Sequence, residues 1–295
     1  MNMYNRRKAI QTLFTGTATV AAAPLLLNLK YEKPDANMSS ALKGNINHAV
    51  CRWTYQYLPL DELCHTAQQI GIKGIDLVGP ADWATLKKYD LTSSMCNGAE
   101  LNLTDGWADT RFHAALIPRY KEHIELVAKA GYKNLICFSG SRRGMDNETG
   151  WNNCVKGLQQ IIGFAEKNNV TLVMELLNSK VDHKDYMCDH TAWGVELCKR
   201  LGSPNFKLLY DIYHMQIDEG DVIRTIQQYH SYIGHYHTGG VPGRHEIDET
   251  QELYYPAIMK AIVATGFNDF VAQEFIPTGN NKIESLKKAI AICDV

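Results

Sequence analysis

From residue 46 onward, short apolar runs alternate with longer stretches in which apolar residues recur at helical spacing. The strand-like runs are INHAV (46–50), GIDLV (74–78), TSSMCN (92–97), NLICFS (134–139), TLVMEL (171–176), FKLLYD (206–211), YIGHYH (232–237) and DFVAQEF (269–275). Between them lie helical patterns such as LDELCHTAQQIG, IPRYKEHIELVAKAGY, CVKGLQQIIGFAEKNN, TAWGVELCKRLG, DVIRTIQQYH and YYPAIMKAIVATG, and IESLKKAIAIC closes the chain. Many of these end in Gly or Asn, residues that accept the left-handed backbone at a helix stop. The second helix, around DWATLKKYD, is the shortest. Eight strands alternating with helices predict an α/β protein whose parallel sheet closes into a (β/α)8 TIM barrel. A single domain over residues 37–295 accommodates it, with no low-complexity segment or exact repeat.

The N-terminus departs from this pattern. NRRKAIQTLFTGTATVAAAPLLLNL sets Arg6, Arg7 and Lys8 before an apolar, Ala-rich stretch without acids, which is the layout of an export signal. The Arg pair resembles the twin-arginine type, with Ala9 where a large apolar residue is usual. Residues 1–36 are therefore expected to be an export signal and linker, cleaved after the Ala21-Ala22-Ala23 run. A periplasmic or exported protein follows, and a cytoplasmic one with a disordered N-terminus is the alternative. The apolar stretch is short and Thr/Gly-rich, so no stable membrane insertion is expected once the signal is removed.

Composition narrows the function. A formal charge of -2 and no Lys/Arg run beyond the N-terminus provide no field for a nucleic-acid backbone. The expected partner is a small molecule, and oligomerisation is left open. The eight cysteines contain no C-x-x-C spacing and several sit at apolar positions, so disulfides are not expected to matter.

In a barrel of this kind, chemistry gathers at the C-terminal ends of the strands. There, Glu175 closes the fifth run, Asp211 the sixth, His237 the seventh and Glu274 the eighth. Each has an ordinary explanation alone: Asp211 as a helix cap, His237 as a core histidine, either Glu as the partner of an Arg. Four in succession at matching depth instead suggest one divalent cation, because buried carboxylates are costly without a compensating charge. The oxygen-rich donor set favours Mn²⁺ or Mg²⁺, with Zn²⁺ or Co²⁺ as alternatives. His214, three residues after Asp211, is expected to support the metal or face the substrate.

Two polar loops flank these ends. HTGGVPGRHEIDE carries Arg244, His245 and Glu246 away from the seventh strand. Arg244 and Glu246 are expected at the mouth as substrate-binding residues, since a guanidinium grips a carboxylate bidentately. Alternatively the two pair with each other. NSKVDHKDYMCDH follows the fifth strand, either as a lid bearing His183 or Lys184 or as a solvated loop.

Together, ELLN, LLYDIYHMQIDEGD, GHYHTGGVPGRHEID, QEF and the earlier DGWAD resemble the hydroxypyruvate isomerase family, across roughly residues 45–280. That family belongs to the xylose isomerase-like barrels, alongside ketose 3-epimerases and endonuclease IV. The resemblance implies Glu175 and Glu274 as an acid/base pair that also ligates the metal, with Asp211 as a further ligand. It implies proton transfer α to a carbonyl through an enediolate, most directly hydroxypyruvate to tartronate semialdehyde. Two features differ from those isomerases: His237 stands where Gln is usual, as in the sugar epimerases, and the isomerases are cytoplasmic. A ketose 3-epimerase or other sugar isomerase is the alternative, followed by a non-catalytic sugar-binding relative. Endonuclease IV chemistry needs three zinc ions and further His ligands, whereas the second and third strands end in DLVGP and CNGAE.

Overall fold

The computed structural model describes residues 41–295. The export signal expected over residues 1–36 lies outside them. Eight strands form a closed parallel barrel in chain order: β1 (Asn47–Cys51), β2 (Gly74–Val78), β3 (Thr92–Cys96), β4 (Asn134–Cys137), β5 (Thr171–Glu175), β6 (Phe206–Asp211), β7 (Ile233–Thr238) and β8 (Phe270–Gln273). β8 closes onto β1 with Asn47 beside Phe270 and Ala49 beside Ala272. The expected (β/α)8 barrel is the fold.

The helices are α1 (Leu60–Ile70), α2 (Trp83–Lys88), α3 (His113–Ala130), α4 (Asn147–Lys167), α5 (Thr191–Leu201), α6 (Ile212–Asp218), α7 (Val222–Tyr229), α8 (Tyr255–Ala264) and α9 (Lys282–Cys293). Helix α1 illustrates why these segments are helical. Leu63, Cys64, Ala67 and Ile70 recur on one face and are buried against the barrel. Its stop is Gly71, at φ 89°, a left-handed conformation that costs a residue with a Cβ. Asp146 caps α4 by accepting the backbone N–H of Thr149 at 2.7 Å.

Two elements differ from the sequence expectation. α6, which is not among the helical patterns read from the sequence, forms because Asp211 caps it and presents Ile212 and Met215 to the core. β8 ends at Gln273, one residue before Glu274, although the Glu274 N–H still donates to Thr238 O at 3.2 Å. All eight cysteines are free and buried. No helix among the described residues is long and apolar enough to cross a membrane.

The large aliphatic residues pack between strands and helices. Inside the barrel, Ala49, Cys51 and Ala272 form a separate small apolar cluster. Strands β2, β7 and β8 carry buried polar groups, among them Asp76, His235, His237 and Gln273. Small neighbours leave room for these groups below the C-terminal mouth.

Candidate metal centre and its surroundings

The four strand-end residues converge. One donor atom each from Glu175, Asp211, His237 and Glu274 lies within 4.8 Å of the others, and all four residues are buried. β6 and β7 are in register so that Asp211 sits directly beside His237. His237 Nδ1 lies 2.5 Å from Glu274 Oε2 and 3.3 Å from Glu175 Oε1. Neither contact has hydrogen-bonding geometry, so Nδ1 faces the carboxylates as an unpartnered buried atom. A bare imidazole nitrogen and three carboxylates directed at one another form the donor set a hard or borderline divalent cation takes.

The charge balance agrees. Three buried carboxylates share a single guanidinium, that of Arg244, which bonds Asp211 Oδ2 at 2.6 Å and also Glu274 Oε2. Burial and the neighbouring charges of Glu274 and Asp211 push the Glu175 carboxyl up to about 7, against the pull of His237. Burial likewise raises Asp211, with Arg244 opposing. For Glu274, burial is outweighed by Arg244, His237 and the Trp53 N–H, which hold it well below the usual carboxylate range. One glutamate is thus biased towards its protonated form and the other towards its ionised form. That separation characterises acid/base pairs. A divalent cation here would offset the remaining negative charge.

Asp211 caps a helix and faces the cluster at once. Its Oδ1 caps α6 by accepting from Tyr213 N at 2.8 Å and His214 N at 3.3 Å, while its Oδ2 faces the cluster. His214 is buried behind it, between Asn178 at 2.6 Å from Nδ1 and Arg244 at 2.6 Å from Nε2. Burial and the Arg244 charge hold its imidazole neutral. His214 therefore reaches Arg244 rather than open solvent. The His183 ring, on the loop after β5, stands 5.2 Å from that of His214, whereas Lys184 is exposed.

Arg244 and Glu246 do not meet. Arg244 lies in the left-handed region at φ 59°, an uncommon conformation for a side chain of its size. The turn is pinned by Arg244 N to Gly240 O at 2.8 Å and by Ile276 N to Arg244 O at 2.6 Å. Its guanidinium is turned inward, 5.0 Å from the Tyr213 ring centre, and is spent on Asp211, Glu274 and His214. Glu246 points elsewhere: it accepts from Thr278 N and Oγ1, Gly279 N and Ser285 Oγ. The pairing of Arg244 with Glu246 is absent among the described residues, and the Glu246 side chain clasps the loop after β8 instead of entering the mouth.

Two participants escape the strand-end pattern. Trp53, in the turn after β1, donates its indole N–H to Glu274 Oε1 at 2.6 Å. Asp76, inside β2, bonds His237 Nε2 at 2.9 Å from below. A carboxylate within the apolar run GIDLV was the available signal for Asp76; nothing local marks Trp53.

Comparison with known proteins places the barrel in context. The family described as Xylose isomerase-like TIM barrel matches residues 65–293. Hydroxypyruvate isomerase from Escherichia coli K12 is 30% identical over 222 residues, covering 72% of this chain and 85% of that protein. D-psicose 3-epimerase from Ruminiclostridium cellulolyticum is 28% identical over 201 residues, 64% of each chain. The solved structure of an AP endonuclease, family 2, from Brucella melitensis superposes with a TM-score of 0.73 at 24% identity, covering 80% of this chain and 95% of that one. At that identity the superposition speaks for the fold alone. The family match runs from α1 to the end of α9, and with the bacterial isomerase aligned over most of its length, this chain belongs to the xylose isomerase-like TIM barrel family.

Proposed function

We propose that the protein is a divalent-metal-dependent isomerase that moves a proton between adjacent carbons of a small hydroxy-keto acid, converting hydroxypyruvate to tartronate semialdehyde. Its isomerase class rests on relatives named as isomerases and epimerases. The observation that carries the chemistry is the meeting of Glu175 and Glu274, from distant segments of the chain, at 3.3 and 2.5 Å from His237 Nδ1. Glu175, Asp211, His237 and Glu274 would hold the cation. When bound, it would polarise the substrate carbonyl and stabilise the negative charge that develops on oxygen.

The chain's own groups handle the proton. Glu274, kept anionic by Arg244 and the Trp53 N–H, is suited to take a carbon-bound proton. Glu175, whose burial favours the protonated form, is suited to deliver one to the neighbouring carbon. Trp53 and Arg244 fix the orientation of Glu274, and Asp211 and the α6 N-terminus are locked together by the cap. The Trp53 ring, 5.9 Å from Arg244 Cζ, borders solvent beside the cluster and is available to a substrate.

A ketose 3-epimerase is the second reading, favoured by His237 in place of Gln and by the psicose epimerase relative. Incubation in D₂O with Mn²⁺ or Mg²⁺, followed by metal removal and NMR, separates the two. Hydroxypyruvate should gain deuterium and yield tartronate semialdehyde. Exchange confined to ketoses would transfer the assignment to epimerisation, and no exchange with any substrate would leave a binding protein. The Arg6-Arg7 segment supports export: residues 1–36 should carry a folded reporter across the membrane, and Lys at both Arg positions should stop it.

A further inference from the structure

Below the four donors, β7 turns two histidines inward. His235 and His237 are two residues apart on a strand and therefore share a face; their rings stand 5.2 Å apart and nearly perpendicular. Asp76 reaches both from β2. Its Oδ1 accepts from His237 Nε2 at 2.9 Å and from Cys51 Sγ at 3.5 Å. Its Oδ2 accepts from Ser94 Oγ at 2.6 Å and lies 2.9 Å from His235 Nε2. All of these groups are buried, and Asp76, His235 and His237 have no exposed surface. The carboxylate is thus fixed by contacts from three other strands before it meets His237.

We infer that Asp76 is a positioning residue that confines the His237 proton to Nε2 and thereby presents Nδ1 as a bare donor to the metal. An ionised carboxylate accepts and cannot donate, so it forces the imidazole nitrogen facing it to carry hydrogen. An imidazole that binds a metal is neutral and has one proton, so with Nε2 protonated the opposite nitrogen gives its lone pair to the cation. That nitrogen is Nδ1, the one facing Glu175 and Glu274 without a hydrogen bond. Replacing the carboxylate by an amide removes the constraint, since the amide NH₂ can donate to Nε2 and drive the proton onto Nδ1, as in a catalytic triad whose Asp becomes Asn.

The inference rests on reading His237 as a metal donor, and the test keeps the two separable. In zinc-loaded wild type carrying ¹⁵N-histidine, long-range NMR should find the His237 proton on Nε2 and none on Nδ1. Asp76→Asn should weaken Zn²⁺ and Mn²⁺ binding in calorimetry about 10–100-fold, the usual effect of losing such a partner. Ser94→Ala, which leaves the His237 contact in place, should change affinity much less. A proton on Nδ1 in the loaded wild type overturns the inference, and this readout holds even if Asp76→Asn fails to fold. A folded Asp76→Asn that binds metal as tightly as wild type overturns it too, while leaving the metal centre standing. A wild type that takes up no divalent cation removes both.

Discussion

Trp53 Nε1 donates to Glu274 Oε1 at 2.6 Å, joining the turn after β1 to the end of β8 across 221 residues of sequence. The bond closes the barrel a second time, through side chains and on the catalytic side. Trp53 remains partly solvent-exposed, so its ring also forms part of the rim above the cluster. Trp53→Phe keeps that ring and removes only the N–H. Hydrogen bonds to charged acceptors contribute ~1.5–3 kcal/mol, so kcat at saturating metal should fall roughly ten- to a hundredfold. A kcat within twofold of wild type would show that Glu274 needs no such anchor.

The acid/base assignment predicts that Glu175→Gln and Glu274→Gln each retain the fold and lose ~10²–10⁴-fold in turnover. Both residues are also assigned as metal donors, so metal content must be measured beside activity. Asp211→Ala and His237→Ala should lose the cation itself, read by elemental analysis after dialysis. Equal, near-zero metal in wild type and both variants would dissolve the proposed centre.

Arg244 is the counter-ion of Asp211 and Glu274, with its side chain only 12% exposed. Removing one partner of a buried pair strands the other charge, at ~3–5 kcal/mol. Arg244→Met should therefore unfold at markedly lower urea in EDTA, and added Mn²⁺ should restore much of the loss by taking over the carboxylates. Turnover should fall for acidic and neutral substrates alike, because Glu274 loses its partner in both cases. A rise in KM confined to acidic substrates, with stability unchanged, would instead return Arg244 to the carboxylate-gripping role expected from the loop sequence.

Glu246 provides a pH test away from the four-residue cluster. Burial would raise its carboxyl, but the Gly279 and Thr278 N–H groups and the Thr278 hydroxyl prevail and bring it down to about 2. Its ordinary value is 4.5, so the unfolded chain binds the proton first as pH falls. The Glu246 contribution is complete above pH 4.5 and is lost as pH falls towards 2. Urea midpoints of wild type and Glu246→Gln should thus differ most near neutrality and converge on acidification. A constant difference from pH 7 to 3 would show that the carboxylate's charge is not what holds the β8 loop.

The barrel and the four residues that cluster at its mouth were legible in the chain because both depend on local periodicity. Apolar runs separated by helical spacing determine the alternating units, and a polar residue ending such a run must lie at the strand's C-terminal mouth. Glu175, Asp211, His237 and Glu274 each carry that mark within their own segment. What those residues touch is decided by barrel closure, which brings together segments with no sequence relation. Asp76 meets His237 across 161 residues, and Trp53 meets Glu274 across 221. Arg244 and Glu246, two residues apart, were expected at one mouth, yet the turn at Gly243 and the left-handed backbone of Arg244 send their side chains to different partners. Backbone dihedrals in a Gly/Pro-rich loop are set by what the loop packs against, so only the folded molecule could choose between the two directions.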